Sequence, residues 1–343
     1  MKEIRLTRRQ ILKNGGLVLA GAFAPSLFTL SPLTTIEKYI AMTDKTVFDV
    51  IIIGGSYAGL SAALALGRSM RKVLIIDSGK PCNRQTPYSH NFLTQDGQTP
   101  KQISEVAKNQ ISKYDTVKFH EGIAVSGMKT ADGFEIKTQS GESFGAKKLL
   151  FATGVADEMP ATKGFAECWG ISILHCPYCH GYEIRDNNIG IIANGETAFE
   201  MCRLINHWSK NLTLFTNGKS VLTAEQTKKI KQHHIQIIEG EISEFEHSKG
   251  NIQNILFKDG SKISKVAVFT RVGFKQHCEI PREIGCEMTE QNFIKVDDFN
   301  KTSIHGVFAA GDNTSMMRAI AIASSAGTRT GAFMNKELID EAF

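Results

Sequence analysis

From Phe48 to Ile53 the chain is apolar, then reads Gly54-Gly55-Ser56-Tyr57-Ala58-Gly59, enters a helix-like stretch to about Ser69 and returns through Lys72–Ile76 to Asp77. No other stretch limits the possible folds as much. Strand, tight glycine turn, helix and second strand make a β-α-β unit, the building block of parallel sheets with helices on both faces. Gly54 permits the tight turn, the small Ser56 lets backbone approach a pyrophosphate, and Gly59 lets the helix lie close on the strand. Gly55, Tyr57 and Ala58 complete the turn. The helix N-terminus then faces phosphates, and Asp77, 18 residues after Gly59, is placed to hold a ribose. Ser56 stands where the fingerprint has its second glycine, so the six-residue string alone says little. Its place between strand and helix, with the acid beyond, points to a dinucleotide; a turn of the same shape without a nucleotide is the plain alternative.

The pattern recurs from Asn188 to Ile192, through Ala193-Asn194-Gly195-Glu196-Thr197-Ala198, a helix to about Trp208 and the strand Leu212–Phe215. Here the fingerprint is damaged. Ala193 replaces the first glycine, and Thr216-Asn217-Gly218-Lys219 follows where a pair of arginines would clasp a 2′-phosphate. A degenerate nucleotide site and a purely structural domain both fit.

Further on, an apolar strand within Thr302–Ala310 leads into Gly311-Asp312 and a small-residue helical stretch from about Met316, with Ala319 as a further cofactor-contact candidate. Leu149–Phe151 with Ala152-Thr153-Gly154 reads as the exit strand of the first segment. Together these predict an α/β fold of two Rossmann-like, three-layer nucleotide-binding domains. Residues 46–157 and 285–343 would form one discontinuous domain, with 158–284 inserted in it.

Cys176-Pro177-Tyr178-Cys179-His180 lies just before the second unit. Thiolates three residues apart can close a readily broken disulfide, and a histidine beside them moves protons near neutral pH. The same string is half of many zinc sites and the attachment point of c-type haem. No metal site is expected: His175, Cys176, Cys179 and His180 are too close in sequence to converge easily on one tetrahedral ion, and there is no second Cys-x-x-Cys. The remaining five cysteines are scattered, and most read as small buried apolar side chains.

The formal charge of +5 is mostly an N-terminal matter, since residues 1–41 carry six basic and two acidic side chains. The rest is nearly neutral and has no Lys/Arg cluster with interleaved aromatics, so no nucleic-acid partner is expected. Thr7-Arg8-Arg9-Gln10-Ile11-Leu12-Lys13 before a weakly apolar run resembles a twin-arginine export signal. Residues 1–45 are therefore read as leader and linker, with a candidate cut after Ala22, or as an uncleaved membrane anchor. A start at Met42 would instead leave the protein in the cytoplasm.

From about residue 47 onward the chain resembles the thioredoxin-reductase-like family of FAD-dependent disulfide oxidoreductases. The resemblance rests on Gly54–Gly59, Asp77, Ala152-Thr153-Gly154, the Cys176/Cys179 pair and Gly311-Asp312, in that order. It implies FAD as cofactor, a homodimer, Cys179 against the flavin, Cys176 as the interchange thiol, and Asn91 as a flavin contact. In this chain His180 replaces the aspartate that usually follows the second cysteine, and the NADPH arginines are missing. Cys-Pro-Tyr-Cys-His-Gly-Tyr-Glu (176–183) is closer to the branch of fungal dithiol oxidases, such as the enzyme that closes the disulfide of gliotoxin. The expectation is oxidation of a small dithiol or thioredoxin-like protein by Cys176–Cys179 and FAD, with dioxygen or another acceptor taking the electrons and His180 moving protons. The rivals are an NADPH-fed reductase of the same fold, and a haem electron carrier that would leave the flavin markers unexplained.

Overall fold

The computed structural model describes residues 47–343; the twin-arginine segment, the candidate cleavage site and Met42 lie outside the described residues. Strand β1 (Val47–Ile53) turns through Gly54 into helix α1 (Tyr57–Arg68) and strand β2 (Val73–Asp77). Helix α2 (Pro100–Ile111) starts on a capping box in which Thr99 accepts from the Gln102 amide, with Pro100 at the first turn. Strands β3 (Val117–Glu121), β4 (Ala124–Thr130), β5 (Gly133–Thr138) and β6 (Ser143–Phe151) follow. The strands β3-β2-β1-β6 run parallel, and β5 and β4 continue the sheet antiparallel. Val50–Ile53, Val73–Ile76 and Leu149–Phe151 are all buried, as expected for strands covered on both faces.

Strand β7 (Val155–Glu158) leaves this layer, and the chain builds a second one. Its elements are α3 (Phe165–Cys168), β8 (Ile173–Leu174), α4 (Pro177–His180), β9 (Ile189–Ile192), α5 (Gly195–Ile205), β10 (Leu212–Phe215), α6 (Ala224–Gln232), β11 (Gln236–Ile238), β12 (Ile242–Ser248), β13 (Asn251–Phe257), β14 (Lys262–Ile263) and β15 (Ala267–Thr270). Five of these strands form an all-parallel sheet in the order β11-β10-β9-β15-β8, and β12-β13-β14 form a separate antiparallel sheet. Strand β16 (Gly273–Gln276) pairs antiparallel with β7, so the outgoing and returning connections run side by side.

After α7 (Ile280–Glu283), strand β17 (Val307–Ala309) rejoins the first sheet parallel to the end of β6, and α8 (Ile320–Asp340) closes the chain. Two Rossmann-like layers result, the second carried between β6 and β17. Helix α8 lies directly on α1: a methyl group added at Gly327 would overlap the Ala58 carbonyl, and one at Gly331 would stand 2.7 Å from the Ala62 carbonyl. Buried Lys148 on β6 ties down the far end of α8 through Glu337 and Glu341, each at 2.7 Å.

Two boundaries differ from the sequence reading. The expected strand across Thr302–Ala310 shrinks to Val307–Ala309, because Ile304-His305-Gly306 forms a turn in which Val307 N–H bonds the Ile304 carbonyl. The helix expected from about Met316 begins at Ile320, because the preceding Arg318 is pulled into an ion-pair network. Among the described residues, no helix is long and apolar enough to cross a membrane.

Candidate active site

The carboxyl ends of β1, β2, β6 and β17 converge on one cavity of about 640 Å³. Gly54, Gly55, Ser56, Tyr57, Ala58, Asp77, Thr153, Gly154, Gly311 and Asp312 all line it. Gly54 has φ +104°, and a side chain there would drive into the Ala152 carbonyl, so this turn admits only glycine without strain. Gly59 lies beneath: an added methyl group would overlap the Gly54 carbonyl. At the start of α1, Ser56 makes no side-chain cap and the first turn holds no acid, which leaves the amides open toward the cavity. Asp77 is fixed by the amides of Gly55 (2.9 Å) and Gly79 (3.2 Å).

The cavity fits an FAD by two further signs. The Thr153 hydroxyl is buried on its wall without a hydrogen-bond partner, and Gly55 leaves an opening that a side chain would fill against Asp77. Asn91 and Ala319 stand outside that lining. Asn91 has φ +60° on the loop after β2 and donates its backbone N–H to Asp96, while Ala319 is the N-cap of α8.

Cys176 and Cys179 form a disulfide with their Cα atoms 5.3 Å apart. Cys176 caps the one-turn helix α4, Pro177 occupies its first position, and Gly181 N–H closes the turn on the Pro177 carbonyl at 2.7 Å. Gly181 sits against Trp208, whose ring meets Tyr178 edge-on at 5.4 Å. His180 ends this turn. Burial, reinforced by the neighbouring His175 and His90, pushes its pKa down to about 4, so the imidazole is neutral at pH 7 and holds a bound proton only weakly. His175, stacked on Trp169 at 5.8 Å, is likewise lowered to about 4 by burial and by Arg318, against the opposing pull of Asp157.

Sequence reasoning missed the residues that tie this segment to the first layer. Arg318 forks onto Asp157 (2.6 and 3.2 Å), reaches Asp312 at 3.4 Å, and Trp169 donates its indole N–H to Asp157 at 3.0 Å. Burial opposes the Arg318 charge, yet the bonds and charge of Asp157 outweigh it and raise the pKa further. His90 stands 3.5 Å from Glu183, just beyond the cysteine pair, and Gln85 donates to the Trp169 carbonyl. One usable signal was Arg318 itself, a lone charge in an otherwise small and apolar run. Cys168, Cys202 and Cys286 are buried as expected and Cys278 is half-buried, whereas Cys82 is exposed on the cavity lining, where desolvation by the surrounding groups and the Asp312 carboxylate push its thiol pKa up.

A profile of the family described as pyridine nucleotide-disulphide oxidoreductase matches residues 48–327. The chain is 34% identical over 309 residues to thioredoxin reductase tcpT of Claviceps purpurea (strain 20.1), covering 87% of this chain and 96% of the relative. It is 30% identical to thioredoxin reductase aclD of Aspergillus oryzae (strain ATCC 42149 / RIB 40), covering 82% and 93%. Among solved structures, an oxidoreductase from Agrobacterium tumefaciens superposes with a TM-score of 0.81 at 34% identity, covering 86% of this chain and 99% of that one.

Proposed function

The chain belongs to the pyridine nucleotide-disulphide oxidoreductase family, and from that premise we propose that it oxidises a dithiol to a disulfide through Cys176 and Cys179. It is an FAD-dependent oxidoreductase acting on sulfur groups. Gly54–Ala58, Asp77, Thr153, Gly154 and Asp312 would hold the cofactor, with the pyrophosphate at the open start of α1 and a ribose on Asp77.

In the proposed reaction, a substrate thiolate attacks Sγ of Cys176 and the Cys176–Cys179 bond breaks, leaving Cys179 as a thiolate. The second substrate thiol then attacks the substrate sulfur of the mixed disulfide and expels Cys176. The substrate departs as a disulfide, and its two electrons and two protons stay on the protein pair. His180, neutral beside the pair, can relay a proton from the second substrate thiol to a departing cysteine sulfur without itself resting charged. FAD held at this site would supply a two-electron acceptor for the reduced pair, with dioxygen or another acceptor as the final oxidant.

The observation that carries this direction is the closed Cys176–Cys179 disulfide followed directly by His180, a half-buried imidazole that is neutral at pH 7. Export on the signal expected at Arg8-Arg9 would favour the same direction, because NADPH is not expected outside the cytoplasm. The relatives' names favour the reverse reading, reduction of a thioredoxin-like protein. An oxygen electrode distinguishes the two: with dithiothreitol as substrate the FAD-loaded protein should consume dioxygen, and Cys179→Ser should stop it. Oxygen uptake that persists in Cys179→Ser, or appears only when NADPH is added, would sink the proposal.

A further inference from the structure

The two glycine turns of this fold end differently, and the second bears on which electron donor the protein accepts. A pyridine dinucleotide needs the start of α5 as FAD needs the start of α1: free amides and a helix dipole facing its pyrophosphate. At α1 those amides open into the cavity. At α5 the first of them is already taken.

Asn194 is the N-cap of α5, and its side-chain oxygen accepts from the Gly195 amide at 2.9 Å. The same oxygen accepts from the Val221 amide at 2.9 Å, while the Asn194 amide group donates to the Lys219 carbonyl at 2.9 Å. Residues 219–221, which follow β10, are thereby strapped across the helix start. The strap is anchored from behind by Glu239, whose carbonyl takes the Gly218 N–H (3.0 Å) and whose carboxylate takes the Ser220 N–H (3.1 Å). Val221 lies over Gly195, so close that a methyl group added to that glycine would stand 3.2 Å from Val221 Cγ2. Glu196 then places a carboxylate in the first turn of the helix, held at 2.6 Å by Gln226 of α6. It occupies the favourable end of the dipole and repels an incoming phosphate.

We propose that Asn194, Glu196 and Val221 are specificity-determining residues that close the second nucleotide site to NADPH and NADH, so that electrons enter only from the dithiol. The missing arginines at Asn217-Gly218 weaken recognition of a 2′-phosphate alone; the Asn194 cap on the Gly195 amide, the Val221 strap and the Glu196 carboxylate oppose the pyrophosphate that both nucleotides share. The inference builds on the dithiol-oxidase reading above, but it is tested by binding rather than by turnover.

The test is calorimetric titration of the FAD-loaded protein with NADPH and with NADH, in the wild type and in Asn194→Gly/Glu196→Asn/Val221→Gly. The wild type should show no saturable binding up to about 1 mM of either nucleotide. The triple variant should bind NADH at least about tenfold more tightly than the wild type and keep its dithiol-dependent oxygen uptake. Wild-type binding with Kd below about 0.1 mM would overturn the proposal. So would a folded, turnover-competent triple variant that still ignores NADH. A triple variant that loses turnover is replaced by Glu196→Gln, which changes charge and not shape; unchanged NADH binding there removes Glu196 from the assignment and overturns the three-residue claim. If the wild type neither binds nucleotide nor oxidises dithiothreitol, the exclusion stands and the oxidase reading alone falls.

Discussion

Acidification should weaken this protein steeply between pH 6.5 and about pH 4, and His175 and His180 should set much of the slope. Burial lowers both folded-state pKa values to about 4 from the ordinary 6.5, with charged and imidazole neighbours adding to the effect. Within that window the unfolded chain carries two protons that the folded protein refuses. Folding therefore releases protons, and stability rises with pH and falls as pH drops. Each histidine contributes a slope of about 1.4 kcal/mol per pH unit, or about 2.7 kcal/mol for the two. Across the whole window the loss comes to roughly 5 kcal/mol, a large part of the stability of an ordinary domain. Above pH 7 the penalty vanishes, because both imidazoles are neutral in both states. Urea denaturation followed by tryptophan fluorescence at pH 7, 6 and 5 measures it, with His175→Asn/His180→Asn as the reference. Between pH 6 and 5 the wild type should lose at least about 2 kcal/mol more than the variant. Parallel curves would show that the two imidazoles do not sit in a protein that resists their charge, and the role of His180 as a neutral proton relay would go with them.

Three other outcomes follow from the packing. Gly59→Ala pushes α1 off the Gly54 carbonyl, so the purified protein should carry less than about one-tenth of a flavin per chain by its 450 nm absorbance; near-full loading would mean that the helix start does not face the cofactor. Asp157→Asn keeps an acceptor for the Trp169 indole but leaves Arg318 with Asp312 alone, and denaturant titration should register a loss of about 2–4 kcal/mol, against less than about 0.5 kcal/mol if the network is ornamental. Glu337→Gln strands the buried Lys148 on Glu341 and should cost about 2–3 kcal/mol at pH 7. Burial raises the Glu337 pKa, but its bonds to Lys148 and Lys301 outweigh this and lower it, so its contribution is present above the ordinary carboxylate range and fades as pH falls. The gap between variant and wild type should accordingly narrow toward pH 4.

Local chemistry carried the first nucleotide unit in full: the turn at Gly54, the close packing at Gly59 and the acid at Asp77 are demands that a few consecutive residues meet by themselves. The cysteine pair was equally readable, since three-residue spacing alone allows the ring to close. Long-range partners were not. Asp157 and Arg318 are 161 residues apart, Asn194 and Val221 are 27 apart across a strand, and neither pair has a periodicity that sequence inspection can detect. The damaged second fingerprint showed what was missing, Ala193 for glycine and no arginines, but not the Asn194–Val221 contact beside it. Helix α8 began four residues late for the same reason, because Arg318 answers to Asp157 rather than to local helix propensity.

The central claim, that electrons enter through Cys176 and Cys179 from a dithiol, is tested most directly by anaerobic stopped-flow absorbance of the FAD-loaded protein. Dithiothreitol should bleach the 450 nm flavin band of the wild type, NADPH should leave it unchanged, and readmitted air should restore it. A flavin bleached rapidly by NADPH and untouched by the dithiol would contradict the account.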